Sequence, residues 1–139
     1  MNPIARLPVG LRAAALTVCV GVILWLSLSP LDELPKVSLW DKAEHAIAYA
    51  AFTAVGLILF PRQPARLVAG AMTLGVTIEV LQAIMGLGRQ GDWRDAVANA
   101  VGAFSVLLAA GLVRRLAGAR GAPAQPSQTA RDRFSSPGR

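Results

Sequence analysis

Long apolar stretches broken by short polar ones set the rhythm of this chain. The apolar stretches are Leu11 to Leu28, Ala43 to Phe60, Ala65 to Met85 and Ala96 to Leu116. Each is roughly 18 to 21 residues long, the length at which a helix crosses the hydrocarbon of a bilayer. Pro30 follows the first and Pro61 the second, where each would stop a helix. Period-two alternation is missing, which argues against a β-barrel. The pattern predicts an all-α fold, a polytopic membrane four-helix bundle. Arg6 and Arg12 ahead of the first stretch would also suit a signal peptide. Its apolar core is long for one, and Pro30 occupies the expected cleavage region, so a retained helix is predicted. After Leu116 the pattern gives way to Gly, Ala, Pro, Gln, Ser and Arg. Residues 1–116 therefore read as the helical domain and 117–139 as a disordered, basic cytoplasmic tail, solvated or resting on anionic headgroups.

The exceptions to the apolar pattern are few and fall in two stretches. Asp41, Lys42, His45 and Tyr49 form the first, and Glu79, Gln82, Arg89, Asp92, Asp95, Asn99 and Gly102 the second. Asp41, His45 and Tyr49 are spaced i, i+4, i+8, along one helix face. Glu79 and Gln82 share a face of the third helix. Asp92, Asp95, Asn99 and Gly102 step by three, four and three into the fourth, with Arg89 in the loop before it. Polar stripes at one depth on three helices are costly to point at lipid, so they should face one another in a pocket.

Composition and charge add orientation to this picture. The chain is 54% hydrophobic and 16% charged, with a mean hydropathy of +0.49; soluble domains carry about a quarter charged residues. The net charge of +6 is not a nucleic-acid signature, because its distribution follows the spans. With four crossings, Arg6, Arg12, Arg62, Arg66, Arg114, Arg115 and the arginines of the tail share one side. The positive-inside rule makes that side cytoplasmic, with both termini in it, and opens the pocket outward. Trp25, Trp40 and Trp93 then map to the outer interface, where indoles prefer to lie. The single Cys19 lies in an apolar run and behaves as a small hydrophobe. The sequence has neither a zinc-type Cys/His cluster nor a Gly-rich phosphate loop, so no metal or cofactor is expected.

Ordinary structural roles compete for several of these residues. Ser38-Leu-Trp-Asp41 and Asp92-Trp-Arg-Asp95 both resemble helix N-terminal caps. His45 and Asn99 could bridge helices by hydrogen bonds, and Gly75 and Gly102 could permit close packing. A carboxylate at Glu79, about 10 Å below the interface, is harder to absorb without a cation, a proton or water. A short internal echo also appears: Trp40-Asp41-x3-His45 against Trp93-x-Asp95-x3-Asn99. It suggests two helical hairpins related by a pseudo-twofold along the membrane normal.

The combination Asp41-Lys42-x2-His45-x3-Tyr49, Glu79-x2-Gln82 and Arg89-x5-Asp95-x3-Asn99-x2-Gly102 resembles the VanZ-like family of small bacterial membrane proteins. The resemblance covers Ala13 to Arg115. It implies a four-helix protein of the bacterial cell membrane with these polar residues as its signature, in a family named for a member associated with teicoplanin resistance. Many relatives carry a further glycine four residues after the Asn-x2-Gly glycine, where this chain has Val106.

Four functions compete on these residues. First comes a binding protein that captures an anionic lipid or a lipid-linked cell-wall precursor group in the outer pocket. Arg89 and Lys42 would supply the cations, and glycopeptide tolerance would follow from altered presentation of wall material. Second is a structural or partner-scaffold bundle. Third is a membrane enzyme using His45, paired with Asp41, and Glu79 for acid-base chemistry, although no serine or cysteine stands as a nucleophile and one histidine with carboxylates makes a poor zinc set; a hard cation held by Asp41, Glu79 and Asp95 is the alternative there. Last is transport or lipid flipping as a homo-oligomer. Membrane lipids are the expected partners.

Overall fold

The computed structural model describes residues 3–30, 40–85 and 91–121. Among them the chain forms a 3-10 turn over Pro3–Arg6 and four helices: α1 Val9–Leu28, α2 Asp41–Leu59, α3 Pro64–Met85 and α4 Trp93–Gly121. The described residues contain no strand, as the missing alternation predicts. Local chemistry fixes most of the ends. Ser29 precedes Pro30 and adopts an extended φ/ψ of −71°/148°, which closes α1. Phe60 precedes Pro61 and leaves the helical region at −130°/64°, which closes α2. Pro64 opens α3, where its missing N–H costs nothing.

Several boundaries differ from the expectation; α1 begins at Val9 rather than Leu11 and α4 at Trp93 rather than Ala96. α2 begins at Asp41 rather than Ala43, and Trp40 is its N-cap residue, without a side-chain cap bond; Asp41 is thus a first-turn residue and not the cap. α4 continues to Gly121, so residues 117–121, expected to begin the disordered tail, are helical. Ala117, Ala119 and Arg120 all favour a helix, and the first proline comes only at Pro123. The rest of the tail, from residue 122, lies outside the described residues.

The helices alternate in direction, as specific contacts show. Arg12 near the start of α1 donates from Nη1 to the Leu59 carbonyl at the end of α2, 2.9 Å away. Gln82 near the end of α3 donates from Nε2 to the Ser27 carbonyl near the end of α1, at 2.8 Å. His45 in α2 meets Asn99 in α4. One end of the bundle therefore collects the C-termini of α1 and α3 and the N-termini of α2 and α4. Between the ends lies a core of Ile23, Tyr49, Phe52, Ala71, Ile78 and Ala103, flanked by Leu16, Cys19 and Met72. These contacts belong to the compact unit Met1–Ala109. Described residues of the second unit, Ala110–Arg139, are the last turns of α4, with exposed side chains from Gly111 to Ala119.

The bundle turns apolar side chains outward around an interior that is partly polar. In α4, Val97, Val101, Phe104 and Leu108 are exposed, whereas Asp95, Asn99 and Gly102 are buried. In α3, Val76, Val80 and Ile84 are exposed, whereas Gly75, Glu79 and Gln82 are buried. Apolar faces turned outward over polar faces turned inward suit a hydrocarbon solvent, not water. α1, α3 and the stretch Trp93–Ala119 of α4 are long and apolar enough to cross a membrane. α2 has comparable length, at 19 residues, but its first turns carry Asp41, Lys42, Glu44 and His45. This is an all-helical membrane protein, and its most polar helix start forms the site described next.

Candidate functional site

Lys42 is the centre of the polar end. Its Nζ lies 3.1 Å from Asp41 Oδ2, 3.0 Å from Asp92 Oδ2, and in direct contact with Asp95 Oδ1. An ammonium has three hydrogens, so these three carboxylates account for its whole donor capacity. The three acceptors are not equivalent. Asp95 is buried at 8% side-chain exposure, Asp92 is partly open at 32%, and Asp41 is mostly in solvent at 60%. Lys42 itself is 20% exposed, so the cluster forms the floor of an opening rather than a sealed pair.

α4 starts where it does because of two acids on different helices. Asp92 Oδ1 accepts from the Arg94 backbone N–H at 2.9 Å, the expected N-cap bond. The Arg94 backbone N–H and then the Lys42 ammonium hold the Asp92 carboxyl below the usual carboxylate range. In a capping box the acid three residues on would reach back to the cap's own N–H. Here that N–H goes instead to Glu79 Oε2 in α3, at 2.8 Å. Glu79 thereby completes the cap from a neighbouring helix, and Asp95 is released to face α2. Gly91, just before the cap, permits this approach: a Cβ there would stand 2.5 Å from the Glu79 carbonyl oxygen.

His45 joins the two halves of the junction. Its Nδ1 is 3.1 Å from Asn99 Oδ1, and its Nε2 is 3.7 Å from Asp95 Oδ2. With Oδ1 as the acceptor, Nδ1 carries the hydrogen, and the Nε2–Asp95 pair becomes an ion pair when the ring is protonated on both nitrogens. Below it, Gly102 brings α4 against α2, where any Cβ would collide with the Ala46 carbonyl. The helices can approach this closely only because position 102 has no side chain. Tyr49 is buried one turn below His45, with its hydroxyl beside Gly75 of α3.

The structure therefore brings together Asp41, Lys42, His45, Tyr49, Glu79, Asp92, Asp95, Asn99 and Gly102. Gln82 is buried too, but its amide is spent on the Ser27 carbonyl of α1, so it locks α3 to α1. Arg89 lies outside the described residues. Lys42 is held by Asp41 and Asp95, the acids expected to position it, and by Asp92 as a third. Asp41, His45 and Asp95 each offer a ligand atom, all within 4.8 Å of one another, a spacing a cation could exploit. The Lys42 ammonium already bridges Asp41 and Asp95 there, so the protein supplies its own positive charge at that point. Glu79, grouped with Asp41 and Asp95 on sequence grounds, is committed to the α4 cap.

Sequence reasoning passed over Thr53 and Gly91. Thr53 is 1% exposed in the middle of α2, and one hydroxyl in an apolar run gives no spacing signal. Gly91 stands directly before the Asp92 cap, and that adjacency was its readable signal. No family model, curated protein or solved structure matches this chain.

Proposed function

We propose that this chain is a multi-pass protein of the bacterial cell membrane, with both termini cytoplasmic, that binds an anionic head group at the outward-facing junction of α2, α3 and α4. The VanZ-like resemblance supplies the setting, and the ligand class is that of an anionic lipid or lipid-linked wall precursor. One observation carries the proposal: Lys42 sits at the open side of the junction, and one of its three partners is the mostly exposed Asp41. An exposed ion pair is worth little, because solvent screens it and two side chains must be held still. Asp92 is committed to capping α4, and Asp95 is buried beneath the ammonium. Asp41 is therefore the partner that an incoming phosphate or carboxylate displaces. Arg89, three residues before Asp92, supplies a second cation able to fork onto two oxygens.

The test is native mass spectrometry of protein released from bacterial membranes in mild detergent. The wild type should retain an anionic envelope lipid, Arg89→Ala should lose it, and Asp41→Asn, which removes the competitor, should retain more. Equal retention by all three proteins would refute an anionic ligand at Lys42.

A further inference from the structure

One carboxylate in the junction faces two side chains at once. Asp95 turns Oδ1 to the Lys42 ammonium and Oδ2 to His45 Nε2, 3.7 Å away. The ring is not free to turn aside, because its Nδ1 is held 3.1 Å from Asn99 Oδ1. With Nδ1 carrying the hydrogen, neutral His45 points a lone pair at a carboxylate, and the two do not bond. A second proton, on Nε2, turns that contact into a charge-assisted pair.

Most charges around the ring favour that proton. On α2, Asp41 brings an oxygen within 4.8 Å of ligand atoms on both the ring and Asp95; Tyr49, one turn below, adds a hydroxyl without charge. On α3, Glu79 acts on the ring electrostatically. On α4, Asp95 stands against the ring and Asp92 lies across Lys42. Lys42 opposes the proton as the cation among these groups. Neither ionisable residue of α1 is near: Arg12 lies at the opposite end of the bundle and Cys19 against the apolar core.

The same charges bear on the mouth. One ammonium faces three aspartates, so these groups carry two surplus negative charges, which repel an anion. A proton on His45 offsets one of them, and it draws on the carboxylate that holds Lys42 from below. Lys42 is then freer to give a hydrogen to an incoming phosphate. Histidine is the side chain whose ordinary range puts such a change between about pH 5 and 8.

We propose that anion capture at the mouth is coupled to protonation of His45, so that the junction takes up one proton with the head group. The coupling rests on the anion-binding reading above and adds its regulation: acidification tightens binding. By linkage, the anion must raise the proton affinity of the ring by the same factor as the proton raises affinity for the anion.

His45 is the single histidine of the chain, so one imidazole signal reports the coupling. The full chain, carrying isotope-labelled histidine, is titrated by NMR in neutral detergent with a few equivalents of phosphatidylglycerol. Its phosphodiester keeps one negative charge throughout, and so dilute a lipid creates no anionic surface that would draw protons by itself. The ring's midpoint should rise by about 0.7 pH unit or more, a coupling of about fivefold, and phosphatidylcholine should leave it in place. Native mass spectrometry of the same samples counts bound lipid. Bound phosphatidylglycerol with an unmoved midpoint would overturn the coupling and leave the anion reading standing. No bound phosphatidylglycerol anywhere between about pH 5.5 and 8, the histidine range, would overturn both. His45→Gln should bind the lipid without this pH dependence, and tighter binding on acidification in that variant would also overturn the coupling. If the variant does not fold, the wild-type titration decides alone.

Discussion

The two ends of the bundle handle buried charge in opposite ways. At one end Arg12 donates to the Leu59 carbonyl and stacks over Phe60, with its guanidinium carbon 5.1 Å from the ring centroid. That is a local solution: a cation meets the negative end of α2 and an aromatic face, and no acid is needed. At the other end one lysine faces three aspartates, with a histidine, an asparagine and a glutamate behind them. Capping two helix starts would require far fewer groups. The surplus at the second end is what marks it as a site, because each additional buried charge in a membrane bundle is costly to keep.

The sharpest way to break this contrast is to remove the central cation. Lys42→Met strands the buried Asp95 and should lower stability by about 3–5 kcal/mol, the range for an uncompensated buried charge; unfolding titrations in mixed micelles will measure it. Next in size is Gly102→Ala, whose methyl meets the Ala46 carbonyl and should cost about 1–3 kcal/mol by overpacking. Gly111→Ala, with open space around its would-be Cβ, should be neutral or gain up to about 1 kcal/mol from helix propensity. Arg12→Ala at the opposite end loses one hydrogen bond and one cation–π contact, and should cost about 1–2 kcal/mol with no change in lipid retention.

The smallest effect is a pH limb. Asp92 is held below the usual carboxylate range chiefly by the Arg94 N–H. A depressed folded-state value means that its contribution is complete above the unfolded value of about 3.9 and is lost as pH falls through the lower folded value. Acid unfolding curves should therefore show a loss at the acid extreme that is weaker in Asp92→Ala.

Hydrophobic spacing made the helices legible because a membrane demands it of every turn, and two prolines fixed the ends of α1 and α2. The polar set was legible for the same reason: Glu79 and Asn99 contradict their surroundings. What could not be read was the partner of each group. Glu79 completes the α4 cap across a gap of 13 residues in sequence, and nothing in its local pattern points to Asp92. For Lys42, pairing with Asp41 and Asp95 is the sequence expectation, whereas nothing along α2 points to Asp92, which arrives from the start of α4.

The most direct test separates binding from stability at Lys42. The double variant Lys42→Met/Asp95→Leu replaces the buried pair by apolar groups, a change that is often neutral for folding. Its melting point and its retained lipid should be compared with those of the wild type by thermal unfolding and native mass spectrometry. A protein that melts like the wild type but retains no anionic lipid is the predicted result. Full lipid retention without Lys42 would contradict the account.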